Sequence, residues 1–274
     1  MTTFADCRIH PTAIISPEVE LAPDVRVEAY VIIEGPVRIG PGCVLRPRAH
    51  LIGPLTMGAN NLVCSNAVLG ERPQHLKSQD EPAGVIIGDG NTFRENVTVH
   101  RGTAATGVTR IGSHNYFMAG SHVAHDCVVG NHCILVNNAL LAGHCLLEDG
   151  AYISGNSALH QFCRMGRLAL LSGTSATTKD IPPFIMQQEI NVVVGVNVVG
   201  MRRAGLTTEQ ISAIRRLYHI VYLQGLALPN ALRQAEEELG GVDVVREFLA
   251  FVRASKRGIN SARSAPGARL DLAA

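Results

Sequence analysis

V-A-H-D-C-V-V-G-N-H-C-I-L-V-N-N-A-L-L-A-G-H-C-L-L, residues 123–147, places an aliphatic residue at every sixth position: Val123, Val129, Leu135, Leu141 and Leu147. A smaller residue follows each of the first four after four places, at Cys127, Cys133, Ala139 and Cys145. Gly, Asn and Asp, the residues of tight turns, fill the intervals. The same phase runs outward in both directions. Toward the C-terminus it continues through Ile153, Leu159, Met165 and Leu171; toward the N-terminus it passes Phe117 and Ile111, returns at Val99, Phe93 and Ile87, and runs from Leu69 back to Ile9. Six residues make one short strand and one corner. Three such units close an eighteen-residue coil of triangular section, stacked about 4.8 Å above the last. The repeat therefore predicts a parallel β-helix.

Composition agrees. Of 274 residues, 46% are hydrophobic, which excludes wholesale disorder, yet there is no Trp and only 7 Phe, as a narrow aliphatic prism requires. A net charge of +1 lacks the basic surplus of a nucleic-acid binder, so no nucleic-acid partner is expected. No apolar run approaches the ~18 residues of a membrane helix, and the start M-T-T-F-A-D-C-R-I-H lacks the blocks of a signal peptide. The expectation is a cytoplasmic protein without stable membrane insertion.

The repeat lapses twice. Residues 71–86 place His75 and Glu81 where aliphatics belong, and residues 102–110, G-T-A-A-T-G-V-T-R, are small and polar. Both read as loops leaving the prism, and long loops on a rigid scaffold usually carry function. The repeat fades near Ile181-Pro182-Pro183. Beyond it, Thr207 and Gln210 have capping-box spacing ahead of Ile211, Ile214, Leu217 and Tyr218; Pro229 announces a second helix, and Val242 to Arg257 a third. The division expected is a β-helix over 1–190, with loops at 71–86 and 102–110, and a C-terminal helical domain over 191–274 with a frayed tail from about 260.

Cys43, Cys127, Cys133, Cys145 and Cys163 occupy the small inward position and read as packing residues; with no C-x-x-C pair, a structural zinc site built on cysteines is not expected. The histidines carry more. A period of eighteen stacks His125 beneath Gly143 and Asp126 beneath His144, with His160 and Gln161 one coil further on the same face and His122 just before. Such a cluster suits an imidazole general base oriented by a carboxylate, beside a backbone N–H that receives an oxyanion. Three imidazoles, with His122, His125 and His144 as the set, could instead bind zinc. The hexapeptide-type carbonic anhydrases carry two of their ligands five apart, a spacing absent here, so the expectation is no metal.

I-H-P-T-A at 9–13, H-R-G-T at 100–103, H-V-A-H-D-C at 122–127, V-N-N-A-L-L-A-G-H at 136–144, H-Q-F-C at 160–163, D-I-P-P-F at 180–184 and G-V-N-V-V-G-M-R-R at 195–203 together resemble the UDP-N-acetylglucosamine O-acyltransferases, which carry out the first acylation of lipid A. The likeness covers nearly the whole chain. It implies an all-β left-handed parallel β-helix, against the usual right-handed crossover rule, followed by a C-terminal α-helical domain. It implies a homotrimer with sites between neighbouring prisms, acyl carrier protein as donor partner, a UDP-sugar acceptor, and neither cofactor nor metal. By the same likeness, His125 is the general base, Asp126 its orienting partner and Gly143 N–H the oxyanion donor. Lys77, His122, His144, His160 and Gln161 correspond to sugar-contacting positions, and Asn197 and Arg203 to nucleotide-contacting ones. Gly173 corresponds to a position that limits acyl-chain length, and Arg202, Arg203, Arg215 and Arg216 form a basic cluster suited to an acidic carrier.

Three positions depart from the family: His75 stands for Asp, Val199 for an acidic residue and Ala204 for a second arginine, all where the nucleotide sugar is held. They keep open an alternative acceptor, a 3-amino UDP-sugar acylated on nitrogen. From another class, a non-catalytic β-helix scaffold is also conceivable; the His125–Asp126 pair argues against it.

Overall fold

The structure, a computed structural model, describes residues 8–76, 78 and 82–262; Lys77 and Glu81 lie outside the described residues. Strands of two to five residues form three sheets. The first face runs from Arg8–Ile9 through Tyr116–Phe117 and Leu170–Leu171, the second from Ile14–Ile15 through His122–Val123 to Ala176–Thr177, and the third from Glu20–Leu21 through Val128–Val129 to Arg164–Met165. Every neighbouring pair on the second and third faces is parallel, as a repeat of strand and corner demands. Pairing follows the repeat: His122 lies beside Leu140 and Leu140 beside Ala158. The architecture is a three-sided parallel β-helix.

The six-residue phase marks the interior. Val123, Leu135, Leu141 and Leu171 are 0% exposed, and truncating such a buried leucine to alanine costs about 2–5 kcal/mol. Phe93 and Phe117 stack at 4.8 Å, 5° from parallel, on the first face. The corners take the left-handed conformation again and again, often at Asn, Asp or His: Asn138 at φ 57°, Asp126 at 61°, His144 at 61°. The described inward cysteines each offer a thiol to a carbonyl one coil on, Cys127 to Ala142 at 3.2 Å and Cys145 to His160 at 3.2 Å.

The two lapses are shorter than the sequence suggests. Val68–Glu71 and Gly84–Ile87 are strands, which narrows the first to 72–83; Val108–Ile111 is a strand, which narrows the second to about 101–107. Leu62 therefore pairs with Thr92 across the longer loop, and Thr98 with His122 across the shorter.

Above the prism, Ile185–Gln188 and Val192–Val196 pair antiparallel and lead into helix α1, Val198–Arg203. Helix α2, Thr208–Tyr218, starts from the expected box between Thr207 and Gln210 and runs on into a π-helical turn at His219–Leu223. Pro229 sits in the first turn of α3, Leu228–Leu239, and α4 spans Asp243–Arg253, shorter than the sequence reading. Arg167 forks onto Glu247 at 2.8 and 2.8 Å, and Arg164 donates to Phe251 O at 2.6 Å while lying over its ring, tying the helices to the top coil. The tail expected from about 260 does not begin there. Asn260 is buried, and Ser261–Ala262 pairs with Val192–Val193 on the first face; residues 263–274 lie outside the described set. Among the described residues no helix is long and apolar enough to cross a membrane.

Candidate active site

His125 and Asp126 form the corner between the second-face strand His122–Val123 and the third-face strand Val128–Val129. His125 Nδ1 lies 2.7 Å from Asp126 Oδ2, and the Asp126 side chain is wholly buried. Burial alone would raise that carboxyl group. It is outweighed by the Thr106 hydroxyl, the Thr103 N–H, the His125 ring and the Thr103 hydroxyl, which together bring it down to about 2. Asp126 is thus an anion at neutral pH, so His125 Nδ1–H donates to it, and in the neutral ring Nε2 is the nitrogen with the lone pair.

One coil on, Gly143 lies against the His125 ring, and His144 N–H donates to His125 O at 3.0 Å. The Gly143 N–H has no acceptor among the described residues, as at other corners of this prism. His144 stands edge-on to His125, its Nε2 3.5 Å from Asp126 Oδ2, and stacks on Phe162 of the following coil at 4.5 Å. Burial, then the other imidazoles, holds His144 below the usual histidine range despite Asp126. His122 places Nδ1 2.7 Å from Thr98 Oγ1 and packs edge-on to the buried His100. Burial first, then His100 and His125, pushes His122 down to about 4. His122 and His144 are therefore neutral at pH 7.

From the 72–83 loop His75 brings its ring to 5.4 Å from that of His125. The resulting cleft, about 570 Å³, is lined by His75, His122, His125, Gly143, His160 and Gln161, with a wall of Leu140, Ala158 and Ala176 stacked on the second face. The cluster expected from the period of eighteen is thereby assembled: His122, His125, Asp126, Gly143, His144, His160 and Gln161 share one corner and its neighbouring face. Thr103 and Thr106 escaped the sequence reading, although Thr103 lies inside the quoted H-R-G-T; what they hold is twenty or more residues away.

A site with a base, an orienting carboxylate, an open N–H and an apolar wall suits acyl transfer, and the comparisons point the same way. The family model described as Udp N-acetylglucosamine O-acyltransferase, Domain 2, matches residues 180–260, and that for the bacterial transferase hexapeptide (six repeats) matches 109–143. The acyl-[acyl-carrier-protein]–UDP-N-acetylglucosamine O-acyltransferase of Anaeromyxobacter sp. (strain Fw109-5) is 46% identical over 253 residues, 92% of this chain and 98% of that relative. The chain belongs to the UDP-N-acetylglucosamine O-acyltransferase family. The enzyme of the same description from Halorhodospira halophila is 42% identical over 92% of this chain and 98% of its own. The solved UDP-N-acetylglucosamine acyltransferase of Campylobacter jejuni superposes with a TM-score of 0.88 at 34% identity, covering 93% of this chain and all of that one.

In this member of the O-acyltransferase family the remaining candidates lie elsewhere in the chain. Asn197, Val199, Arg203 and Ala204 border a cavity of about 740 Å³ between α1 and the corner that joins the third face to the first, where Asp149, Arg167 and Leu168 form the floor. The Asn197 amide is committed inside the chain: Oδ1 accepts from Gly200 N–H at 2.9 Å as the α1 cap, and Nδ2 donates to Leu168 O at 2.8 Å. Arg203 is exposed and has no ion-pair partner among the described residues. Gly173 sits at the third corner, after Leu170–Leu171, away from both cavities. The three groups of candidate residues thus occupy three different edges of the prism.

His125, Asp126 and His144 also bring their donor atoms within 4.8 Å of one another, close enough to share an ion. Both Asp126 oxygens, however, already accept from protein donors. Those four contacts take up the lone pairs of Asp126, so its carboxylate serves to orient an imidazole and not to ligate a cation.

Proposed function

We propose that the protein transfers a 3-hydroxyacyl chain from acyl carrier protein to the 3-hydroxyl of UDP-N-acetylglucosamine, the first acylation of lipid A synthesis, as a cytoplasmic homotrimer of left-handed prisms. The observation that carries the reading is the His125–Asp126 contact of 2.7 Å beside the open N–H of Gly143. His125 Nε2 takes the hydroxyl proton as the sugar oxygen attacks the thioester carbonyl. The carbonyl oxygen, becoming an anion, receives the Gly143 N–H. The intermediate collapses by releasing the carrier's thiolate, which takes the proton back from His125. Asp126 remains ionised throughout and holds the ring in the tautomer the first step needs. His122, His144, His160 and Gln161 face the sugar, and the Leu140–Ala158–Ala176 wall accommodates the apolar chain. The trimer is supported by the separation of edges: Asn197, Arg203 and Gly173 reach a His125 site only from a neighbour's prism.

The test is product analysis by mass, with purified protein, 3-hydroxyacyl carrier protein and a panel of UDP-sugars. An ester on UDP-N-acetylglucosamine is expected, with turnover falling by about 10²–10⁴-fold in His125→Ala. An amide formed only on a 3-amino UDP-sugar would instead assign the acceptor to the environment of His75, Val199 and Ala204. No product from any donor–acceptor pair would overturn the reading.

A further inference from the structure

The loop at 101–107 leaves the prism and returns as the strand Val108–Ile111, and all three threonines of this segment converge on Asp126. Thr103 N–H donates to Asp126 Oδ1 at 2.9 Å and Thr103 Oγ1 to Oδ2 at 2.8 Å. Thr106 Oγ1 donates to Oδ1. Thr109 Oγ1 accepts the backbone N–H of Asp126 at 2.8 Å, steadying a residue held at φ 61°. With His125 Nδ1 on Oδ2, four donors meet the roughly four lone-pair directions of a carboxylate. The Thr106 hydroxyl also lies 3.0 Å from Val108 O, but its single proton goes to the stronger acceptor, the anion.

The torsion that turns an aspartate's carboxylate plane is broad and nearly two-fold, so the chain itself does not set it. Here the plane is set by the donors. Thr106 is exposed and adds no packing; its hydroxyl is its contribution. We propose that Thr106, with Thr103, is a positioning residue of the acyl-transfer site: the loop clamps the Asp126 carboxylate so that one lone pair of Oδ2 points along His125 Nδ1–H, which aims Nε2 at the acceptor. This assignment rests on the acyltransferase reading for its kinetic consequence and on the structure alone for its geometric one.

The experiment compares Thr106→Val, which keeps shape and removes the hydroxyl, with Thr106→Ser, which keeps the hydroxyl, each in the native and the Asp126→Asn background. In the native background Thr106→Val should lower kcat by up to about 100-fold, the effect of a misplacement near 1 Å, with KM for both substrates and the thermal midpoint unchanged. Thr106→Ser should restore kcat to within a few-fold. In Asp126→Asn the valine substitution should have no further effect, since residues that act through one another are not additive. Independently of turnover, the proton on His125 Nδ1 should give a far-downfield, exchange-protected NMR signal that Thr106→Val shifts upfield and Thr106→Ser retains. Wild-type kcat in Thr106→Val, equal losses in the valine and serine variants, full additivity with Asp126→Asn, or an unmoved Nδ1–H signal would each overturn the clamp. An inactive wild type with a signal that responds as described would refute the acyltransferase reading and keep the clamp.

Discussion

The ring of His125 fills the space that a methyl group on Gly143 would need: a Cβ built there stands 2.6 Å from His125 Cε1 and 2.8 Å from Nε2. Gly143 does not have a left-handed φ, so the contact, and not the backbone, demands glycine. In Gly143→Ala the imidazole, the far end of a rotatable side chain, gives way while the coil stays. The Nδ1–Asp126 bond is lost with it. Turnover should drop by about 100-fold with a thermal midpoint within a few degrees of the native protein's. Steady-state kinetics beside calorimetry checks this; a variant that unfolds, or one with native turnover, contradicts the packing argument.

Acid should weaken the fold in two stages. His122 is depressed to about 4, and His100 and His144 are also lowered, all chiefly by burial. As pH falls below the ordinary histidine value of about 6.5, the unfolded chain takes up protons that the folded one refuses, so stability is lost between there and about 4. Asp126, lowered to about 2 against burial by its threonine and histidine donors, adds a second loss as pH falls through the range below about 4. Thermal midpoints recorded from pH 7 to 3 should decline through both windows, and His122→Gln should flatten the upper one. An unchanged slope in that variant would remove His122 from the account.

Of the four arginines expected to dock a carrier, one is paired within the chain. Arg216 forks onto Glu238 at 3.1 and 2.8 Å, whereas Arg202, Arg203 and Arg215 have no ion-pair partner among the described residues. If an acidic carrier docks beside α1 and α2, Arg215→Glu should raise the donor KM several-fold at low salt and flatten its dependence on ionic strength. Arg216→Glu should act less on docking and more on the α2–α3 contact. A donor KM that ignores Arg215→Glu at every salt concentration would place docking elsewhere.

Gly173 has room to change. Its φ is outside the left-handed region, which belongs to Thr174 at 55°, and a Cβ there would meet only Gly155 O at 3.6 Å and Ser154 Cβ at 4.0 Å. Gly173→Met should therefore fold and, if this edge faces a neighbour's acyl chain, shift the preferred donor to a shorter one. Each excluded methylene removes about 0.8 kcal/mol of burial. Competition between donors of different length measures the shift; an unchanged ranking in the folded variant ends the role of position 173.

The repeat made the prism legible because an inward phase of six is a geometric necessity of a three-sided coil, and the pairing of His122 with Leu140 and of Leu140 with Ala158 is that same arithmetic. The phase even survives the loops: Leu62 pairs thirty residues on with Thr92, and Thr98 twenty-four on with His122, excesses over eighteen that are multiples of six. For that reason Gly143 over His125 and His144 over Asp126 could be placed beforehand. Thr103 and Thr106 could not, because a loop outside the prism obeys no period, and its tip meets Asp126 through a path that only tertiary structure defines. The ends of the elements were also beyond reach: Ser261–Ala262 pairs at the edge of the first face with no repeat to announce it.

The stacked thiols inside the prism give the molecule an internal clock. Burial, the leading cause, holds the thiols of Cys43, Cys133 and Cys163 above their ordinary range, the second at about 12 and the third at about 11. A closed prism therefore presents almost no thiolate to an alkylating reagent. Among the described cysteines Cys64, 7% exposed, is the natural first responder, while Cys43, Cys127 and Cys133, at 0%, wait for their coils to part. The order in which these sulfurs become labelled at the edge of denaturation would report, coil by coil, where the stack opens first.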